Sequence, residues 1–323
     1  RFGVRPAARL SLGEAHVLVP GGPYSETSWL QQSLSPPLAV GRATNPARLH
    51  IRRIDVRDAT QFAAALQRVT AGRIYGDAVL VFVHGFNVTF DEALQRGAQL
   101  RRDLNVDGPF LVFSWPSQGS MRRYGADRRQ ADRATSQLAD LVERLAAWRP
   151  GSRVHLLAHS MGNRVMVQAV RALVQRAATA ASRLGELIMA APAVPVTECR
   201  DWLDDIAAAS RLRLTLYAAQ NDKAMWAGRW ADRGVLAGHC VGGRPMGHPI
   251  VDSIDITAAA SDDHFGLRHD VFTANPVMTD DMRQLLQHGH MRPPEQRLPV
   301  LRPVVDGQGR YWRYEAGGAR ASG

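Results

Sequence analysis

Val154-His155-Leu156-Leu157-Ala158-His159-Ser160-Met161-Gly162-Asn163-Arg164 decides how this chain is read. An apolar run ends in a serine set between small residues, and an amphipathic run follows. That order predicts a strand, a very tight turn and a helix, with a hydroxyl at the apex. Strand and helix backbones meet at such a turn, so Ala158 and Gly162 must be small. The turn pushes Ser160 Oγ out at the end of a sheet. It also aims the unpaired N–H groups of the helix N-terminus at the same spot. The common form of the signature is G-x-S-x-G, and Ala158 stands in place of its first glycine. Taken alone, the pentapeptide is also compatible with an ordinary Ser/Gly turn.

Outward from this stretch the chain alternates. Continuous apolar runs predict strands at residues 78–83, 110–114, 153–158, 187–191, 212–218 and 251–256. Amphipathic runs predict helices at 127–148, 161–178, 197–209, 223–230 and 277–286. Thr89 with Glu92 forms a capping box that opens another helix running to about Leu104. Strands alternating with helices predict an α/β fold, a mostly parallel, doubly wound sheet with helices on both faces. The ends are less patterned. Residues 1–50 form an N-terminal extension, with early or edge strands at 15–19 and 49–56. A short helix at 60–69 puts Phe62, Leu66 and Val69 on one face. Residues 51–290 form the main domain and 291–323 a Pro-rich C-terminal tail, with a small hairpin at 304–312.

Composition excludes several classes. The chain has 323 residues, of which 45% are hydrophobic and 22% charged, an ordinary globular balance. No apolar stretch reaches the roughly 18 residues of a membrane span. The chain opens at Arg1 with no leader pattern, which leaves cytoplasmic and exported locations both open. The net charge of +10 is carried by arginine, with Lys223 the one lysine. The arginines are spread out, apart from Arg122, Arg123, Arg128, Arg129 and Arg133. No aromatic-interleaved basic motif accompanies them, so no nucleic-acid partner is expected. Cys199 and Cys240 lack metal-ligand spacing, and pairing between them stays open. His288 with His290, and His239 with His248, lack a third ligand at suitable spacing. No phosphate loop is present, so neither metal nor cofactor is expected.

A serine hydroxyl needs a base within reach and a third group to orient that base. In open α/β sheets such groups gather at the carboxyl ends of strands. Asp222 follows the 212–218 strand, and His264 and His269 follow the 251–256 strand. The order Ser, Asp, His at three strand ends is far more specific than the serine turn. An acyl-transfer oxyanion needs two pre-aimed donors. The Met161 N–H is one; His84-Gly85-Phe86-Asn87, after the 78–83 strand, supplies the other from Phe86 N–H. His84 is expected to fix this loop by side-chain hydrogen bonds. Asn87, Trp115, His159 and Phe265, with His84, are candidates for the substrate pocket, although isolated aromatics are more often core.

These residues carry a resemblance. Val81-Phe82-Val83-His84-Gly85-Phe86-Asn87 with Phe90 and Ala93, and Phe113-Ser114-Trp115-Pro116-Ser117, resemble a bacterial α/β-hydrolase family of unknown function. So do Leu157 to Arg164, and Leu216-Tyr217-Ala218 with Asn221-Asp222. The resemblance covers about residues 50–288 and implies an α/β-hydrolase fold and serine-esterase-like chemistry. It implies Ala158 at the first elbow position, so that residue is no departure. It also implies a histidine followed by an aromatic and a proline before the closing helix. His269, with Phe272 and Pro276, fits, and His264 does not. Ala193 departs from it, where an aspartate is expected after Ala190-Ala191-Pro192. The expected activity is hydrolysis of small-molecule or lipid-like carboxylic esters by Ser160, Asp222 and His269. An amidase, thioesterase or acyltransferase on the same triad is the alternative within enzymes, and a hydrolase-fold binding protein the alternative outside them. Oligomeric state is left open.

Overall fold

Along Ala78–Val83 every side chain is apolar, and pleating sends alternate ones to opposite faces. A strand of that kind needs cover on both sides, and it has it. Val79, Val81 and Val83 face one core with Leu138, Leu145, Val165, Leu173 and Leu203. Leu80 and Phe82 face another with Leu100, Leu104, Met278 and Met282. A computed structural model describes residues 7, 9–19, 49–70, 78–117, 123–149, 151–220, 234–261 and 276–315.

In chain order the elements are β1 (Leu12–Leu18), β2 (His50–Arg57), α1 (Ala59–Thr70), β3 (Ala78–Val83), α2 (Phe90–Asp103), β4 (Phe110–Phe113), α3 (Tyr124–Trp148) and β5 (Arg153–His159). Then come α4 (Gly162–Arg176), α5 (Ala178–Ala181), β6 (Leu184–Ala190), α6 (Val196–Ala209), β7 (Leu214–Ala218), β8 (Val251–Asp255), α7 (Thr257–Ser261) and α8 (Pro276–His288). The last are α9 (Pro294–Arg297), β9 (Leu301–Asp306) and β10 (Gly309–Tyr314). The main sheet runs β4-β3-β5-β6-β7-β8-β10-β9. It is parallel from β4 through to β10, and β9 pairs antiparallel with β10 at its end. Helices α3, α4 and α6 cover one face, and α2 and α8 the other. This is the α/β-hydrolase fold. The capping box of α2 is formed, with Thr89 accepting from the Glu92 N–H and Glu92 from the Thr89 N–H.

The register sets the site. Val83 pairs with Phe113 and Ala158, His159 with Ala190, Ala190 with Tyr217, and Ala218 with Asp255. The carboxyl ends of these strands therefore end on one rim. The chain leaves β3, β5, β6, β7 and β8 there, as the sheet rule for ligand sites requires.

Both ends of the chain correct the expectation. β1 and β2 do not edge the main sheet; they form their own antiparallel ribbon, since Leu12 and Val17 are only partly buried and need just one covered face. Beyond residue 290 the chain is not a tail. β10 lies beside β8, with Trp312 opposite Ile254, and β9 closes the sheet. Leu301, Tyr311, Trp312 and Tyr314 are buried there, and Arg313 bonds Asp255 at 3.2 Å. That aromatic cluster is too apolar to remain in water. The stretch at 234–249 packs on the body: Leu236, Ala237 and Cys240 are fully buried, and Gly238 packs on Ala191 and Pro192. Cys199 and Cys240 are both free thiols. The predicted helix at 223–230 lies outside the described residues.

A buried ion pair locks this end of the sheet. Tyr217 of β7 donates to Asp281 of α8 at 2.6 Å, and Arg297 of α9 bonds both oxygens of Asp281 at 2.8 and 3.0 Å. The Arg297 and Asp281 side chains are fully buried. Burial and the neighbouring Asp281 charge hold the Tyr217 phenol protonated well beyond its ordinary range. Removing one partner strands the other charge in low dielectric. Asp281→Ala is expected to cost about 3–5 kcal/mol, and Asp281→Leu with Arg297→Met to recover most of it, in urea unfolding.

Candidate functional site

β5 ends at His159 and α4 begins at Gly162, so the chain must reverse over Ser160 and Met161. Ser160 takes a left-handed backbone, φ 53°, which a non-glycine residue adopts only where its surroundings enforce it. The enforcement is visible. Ser160 N–H donates to Ala190 O at 2.9 Å, extending the β5–β6 pairing by one residue. Ser160 O accepts from the N–H groups of Asn163 (3.1 Å) and Ala193 (3.2 Å). The fully buried Asn163 amide also donates to it at 3.0 Å, and lies 3.1 Å from Ala190 O and 3.3 Å from Ala158 O. Three carbonyls around one amide nitrogen fix which way that side chain points.

The small residues have a sharper reason than the turn itself. A methyl on Gly162 would stand 2.5 Å from the carbonyl oxygens of both Val83 and His84. The close approach is to the end of β3, the neighbouring strand. On Gly85 a methyl would lie 2.9 Å from Ser160 Cβ and 3.0 Å from His159 O. The 84–87 loop therefore lies directly against Ser160, which is 2% exposed.

His84 is spent on that loop. It is fully buried, and Trp115 N–H donates to its Nε2 at 3.2 Å, with Ser114 Oγ 3.3 Å from the same nitrogen. Nε2 is thus an acceptor, which leaves the proton on Nδ1, 2.9 Å from Gly85 O. Trp115 Nε1 donates to His84 O at 2.7 Å, and the two rings stack 5.2 Å apart. Burial pushes the imidazole down to about 4, against an ordinary 6.5. Trp115, at 2% exposure, lies behind the loop. Asn87 also has a left-handed backbone, φ 58°, and its N–H donates to Ser117 Oγ at 3.0 Å. Phe86 meets Tyr124 edge-on at 5.2 Å, and His159 is 7% exposed beside Gly85.

So the structure brings together Ser160, Met161, His84, Gly85, Phe86, Asn87, Trp115 and His159. Asp222, His264, Phe265 and His269 lie outside the described residues. The chain leaves β7 at Ala218 and β8 at Asp255 on the same rim as Ser160. Sequence reasoning assigned no role to Asn163, nor to Ser117 and its partner Asp127. The Asp127 signal was present: Asp127, Ala131, Ala134, Leu138 and Leu141 lie at helical spacing on the buried stripe of α3. Behind the turn, Arg164 of α4 bonds Asp132 of α3 (2.6 Å) and Glu198 of α6 (2.7 Å), and lies over Trp202. Arg128 of the basic cluster also bonds Glu198, at 2.5 Å. Among the described residues no group of three or more His, Cys, Asp or Glu is placed to hold a metal ion, and no helix is long and apolar enough to cross a membrane.

A sequence profile of the family described as Alpha/beta hydrolase of unknown function (DUF900) matches residues 61–288, and the chain belongs to that family. A curated relative, the uncharacterized protein alr1448 of Nostoc sp. (strain PCC 7120 / SAG 25.82 / UTEX 2576), is 26% identical over 124 residues. That match covers 31% of this chain and 32% of the relative, so the chain spans about a third of the relative's length. Two solved structures are distantly similar. An acetyl xylan esterase matches at TM-score 0.37 and 11% identity, over 61% of this chain and 92% of its own. A lipase-esterase related protein from Clostridium acetobutylicum ATCC 824 matches at 0.36 and 10%, over 67% and 96%.

The buried imidazole of His84 has a consequence for stability. As pH falls through 6.5 the unfolded chain takes up a proton at His84, and the folded chain does not until about 4. The unfolded state therefore binds more protons in that window, and folding stability falls with pH across it. Above 6.5 this contribution is complete. Urea unfolding between pH 7.5 and 4 should show the decline, and His84→Gln should flatten part of it.

Proposed function

We propose that the protein is a serine hydrolase that cleaves carboxylic esters through an acyl-enzyme on Ser160. One observation carries this reading: Ser160 holds a left-handed backbone at the β5–α4 junction, with Gly85 of the neighbouring loop against its Cβ. Such strain persists only where surrounding structure over-determines it, and it collects at reacting groups. The hydroxyl stands just before the N-terminus of α4, and Met161 N–H is the first donor to developing negative charge. Phe86 N–H is the second donor, in a loop anchored through His84 and Asn87.

His269 is the base and Asp222 its orienting acid, both following strands that end on the Ser160 rim. Ser160 Oγ attacks the ester carbonyl carbon as His269 takes its proton. The carbonyl oxygen becomes an oxyanion held by Phe86 and Met161 N–H. When the tetrahedral intermediate collapses, the C–O bond to the alkoxide breaks, and His269 returns the proton to it. Water then attacks the acyl-enzyme with His269 again as base, releasing the acid and restoring Ser160. A small-molecule or lipid-like ester is the substrate class, and no cofactor enters the steps.

A fluorophosphonate probe should label the wild-type chain, and Ser160→Ala should remove both the label and turnover of p-nitrophenyl esters while the protein stays folded. Turnover should rise from acid to neutral pH as a histidine of ordinary pKa near ~6.5 loses its proton. Hydrolysis at wild-type rate in Ser160→Ala would sink the reading. A panel of p-nitrophenyl esters, amides and thioesters then sorts the substrate class.

A further inference from the structure

The 84–87 loop is gripped at both ends by one short segment. At its start, Trp115 N–H bonds His84 Nε2 and Trp115 Nε1 bonds His84 O. At its end, Asn87 N–H bonds Ser117 Oγ at 3.0 Å. Gly85 and Phe86 span the gap between these anchors. The Ser117 hydroxyl is itself fixed: it donates to Asp127 Oδ2 at 2.6 Å, which leaves its oxygen to accept from Asn87. Ser117 is 4% exposed and Asp127 fully buried. Asp127 sits in the first turn of α3, where the helix end favours a carboxylate. A hydroxyl donating to a buried carboxylate is a stronger acceptor, since bonds in such a chain polarise one another.

The Asn87 backbone needs that hold. Its φ of 58° lies in the left-handed region, sparsely populated even by asparagine. If Asn87 relaxes, the peptide before it turns, and that is the peptide neighbouring the Phe86 N–H. Losing Ser117 Oγ would take from the Asn87 N–H the acceptor that holds it.

We infer that Ser117 and Asp127 are positioning residues that hold the 84–87 loop in the shape presenting the Phe86 N–H to the reacting carbonyl. This rests on the reading of Ser160 as the nucleophile. Neither side chain touches substrate. Their effect passes through the loop and appears in the chemical step rather than in binding.

The test compares wild type, Ser117→Ala, Ser117→Thr and Asp127→Asn in the full chain, with p-nitrophenyl acetate as substrate. Thermal unfolding and fluorophosphonate labelling are followed in parallel. Ser117→Ala should lower kcat about tenfold to a hundredfold, below the ~10²–10³ lost with a whole oxyanion donor, and leave KM nearly unchanged. Ser117→Thr, which keeps the hydroxyl, should restore kcat, and Asp127→Asn should fall between. Labelling of Ser160 should slow in the same order. Folded Ser117→Ala and Asp127→Asn proteins with wild-type kcat, or with the loss confined to KM, would overturn the inference. Should Ser117→Ala fail to fold, Asp127→Asn against Ser117→Thr decides by the same criterion. A wild-type chain that neither labels nor turns over would instead refute the hydrolase reading, before any variant of Ser117 is compared, and this inference with it.

Discussion

The structure turns on a contact between backbones. Gly162, the first residue of α4, lies so close to the end of β3 that a methyl would meet the Val83 and His84 carbonyls at 2.5 Å. Hydrogen at that position lets the helix start against the neighbouring strand. Because α4 starts there, Ser160 must complete the reversal within a single left-handed residue. Because β3 ends there, its loop comes down on Ser160, and Gly85 is needed for the same reason. Two glycines on different elements thus answer one constraint.

Around this contact several buried polar groups find partners within the chain. His84 uses one ring nitrogen on its own loop, at Gly85 O, and the other on Trp115 N–H. Asn163 holds Ser160 O, and its nitrogen also faces the carbonyls of Ala158 and Ala190. Arg164 ties α4 to α3 and α6 through Asp132 and Glu198. Asp281 gathers β7, α8 and α9 through Tyr217 and Arg297. In a dry interior an unmatched group of this kind is costly, so each such set admits one arrangement of its elements.

Much of this was legible from the residues in order. Runs such as Val79 to Val83 can be covered only in a two-faced sheet, so a parallel sheet with helices on both faces follows from hydrophobic pattern. Thr89 with Glu92 marked a helix start, and Ser160 between Ala158 and Gly162 marked a turn. Less legible were the chain ends. Tyr311 and Trp312 read as part of a tail hairpin because nothing local says which strand edge will receive them, and β8 does. Likewise the 234–249 stretch has the Gly and Pro of a loose loop, yet its contacts with Ala191, Pro192 and Ala219 bury it.

The sequence by itself determined the alternation of strands and helices, the turn that carries Ser160, and the order in which Ser160, Asp222 and His269 occur. Those are properties of neighbouring residues, set by periodicity, side-chain size and backbone freedom. Only the tertiary structure decided that Gly162 answers to β3, that burial keeps His84 neutral, and that Asp127 reaches Asn87 through Ser117. Each of those joins residues distant in the chain. A side chain's charge and partners depend on what the other elements bring within 3 Å of it and on how much water they exclude, and neither quantity is local.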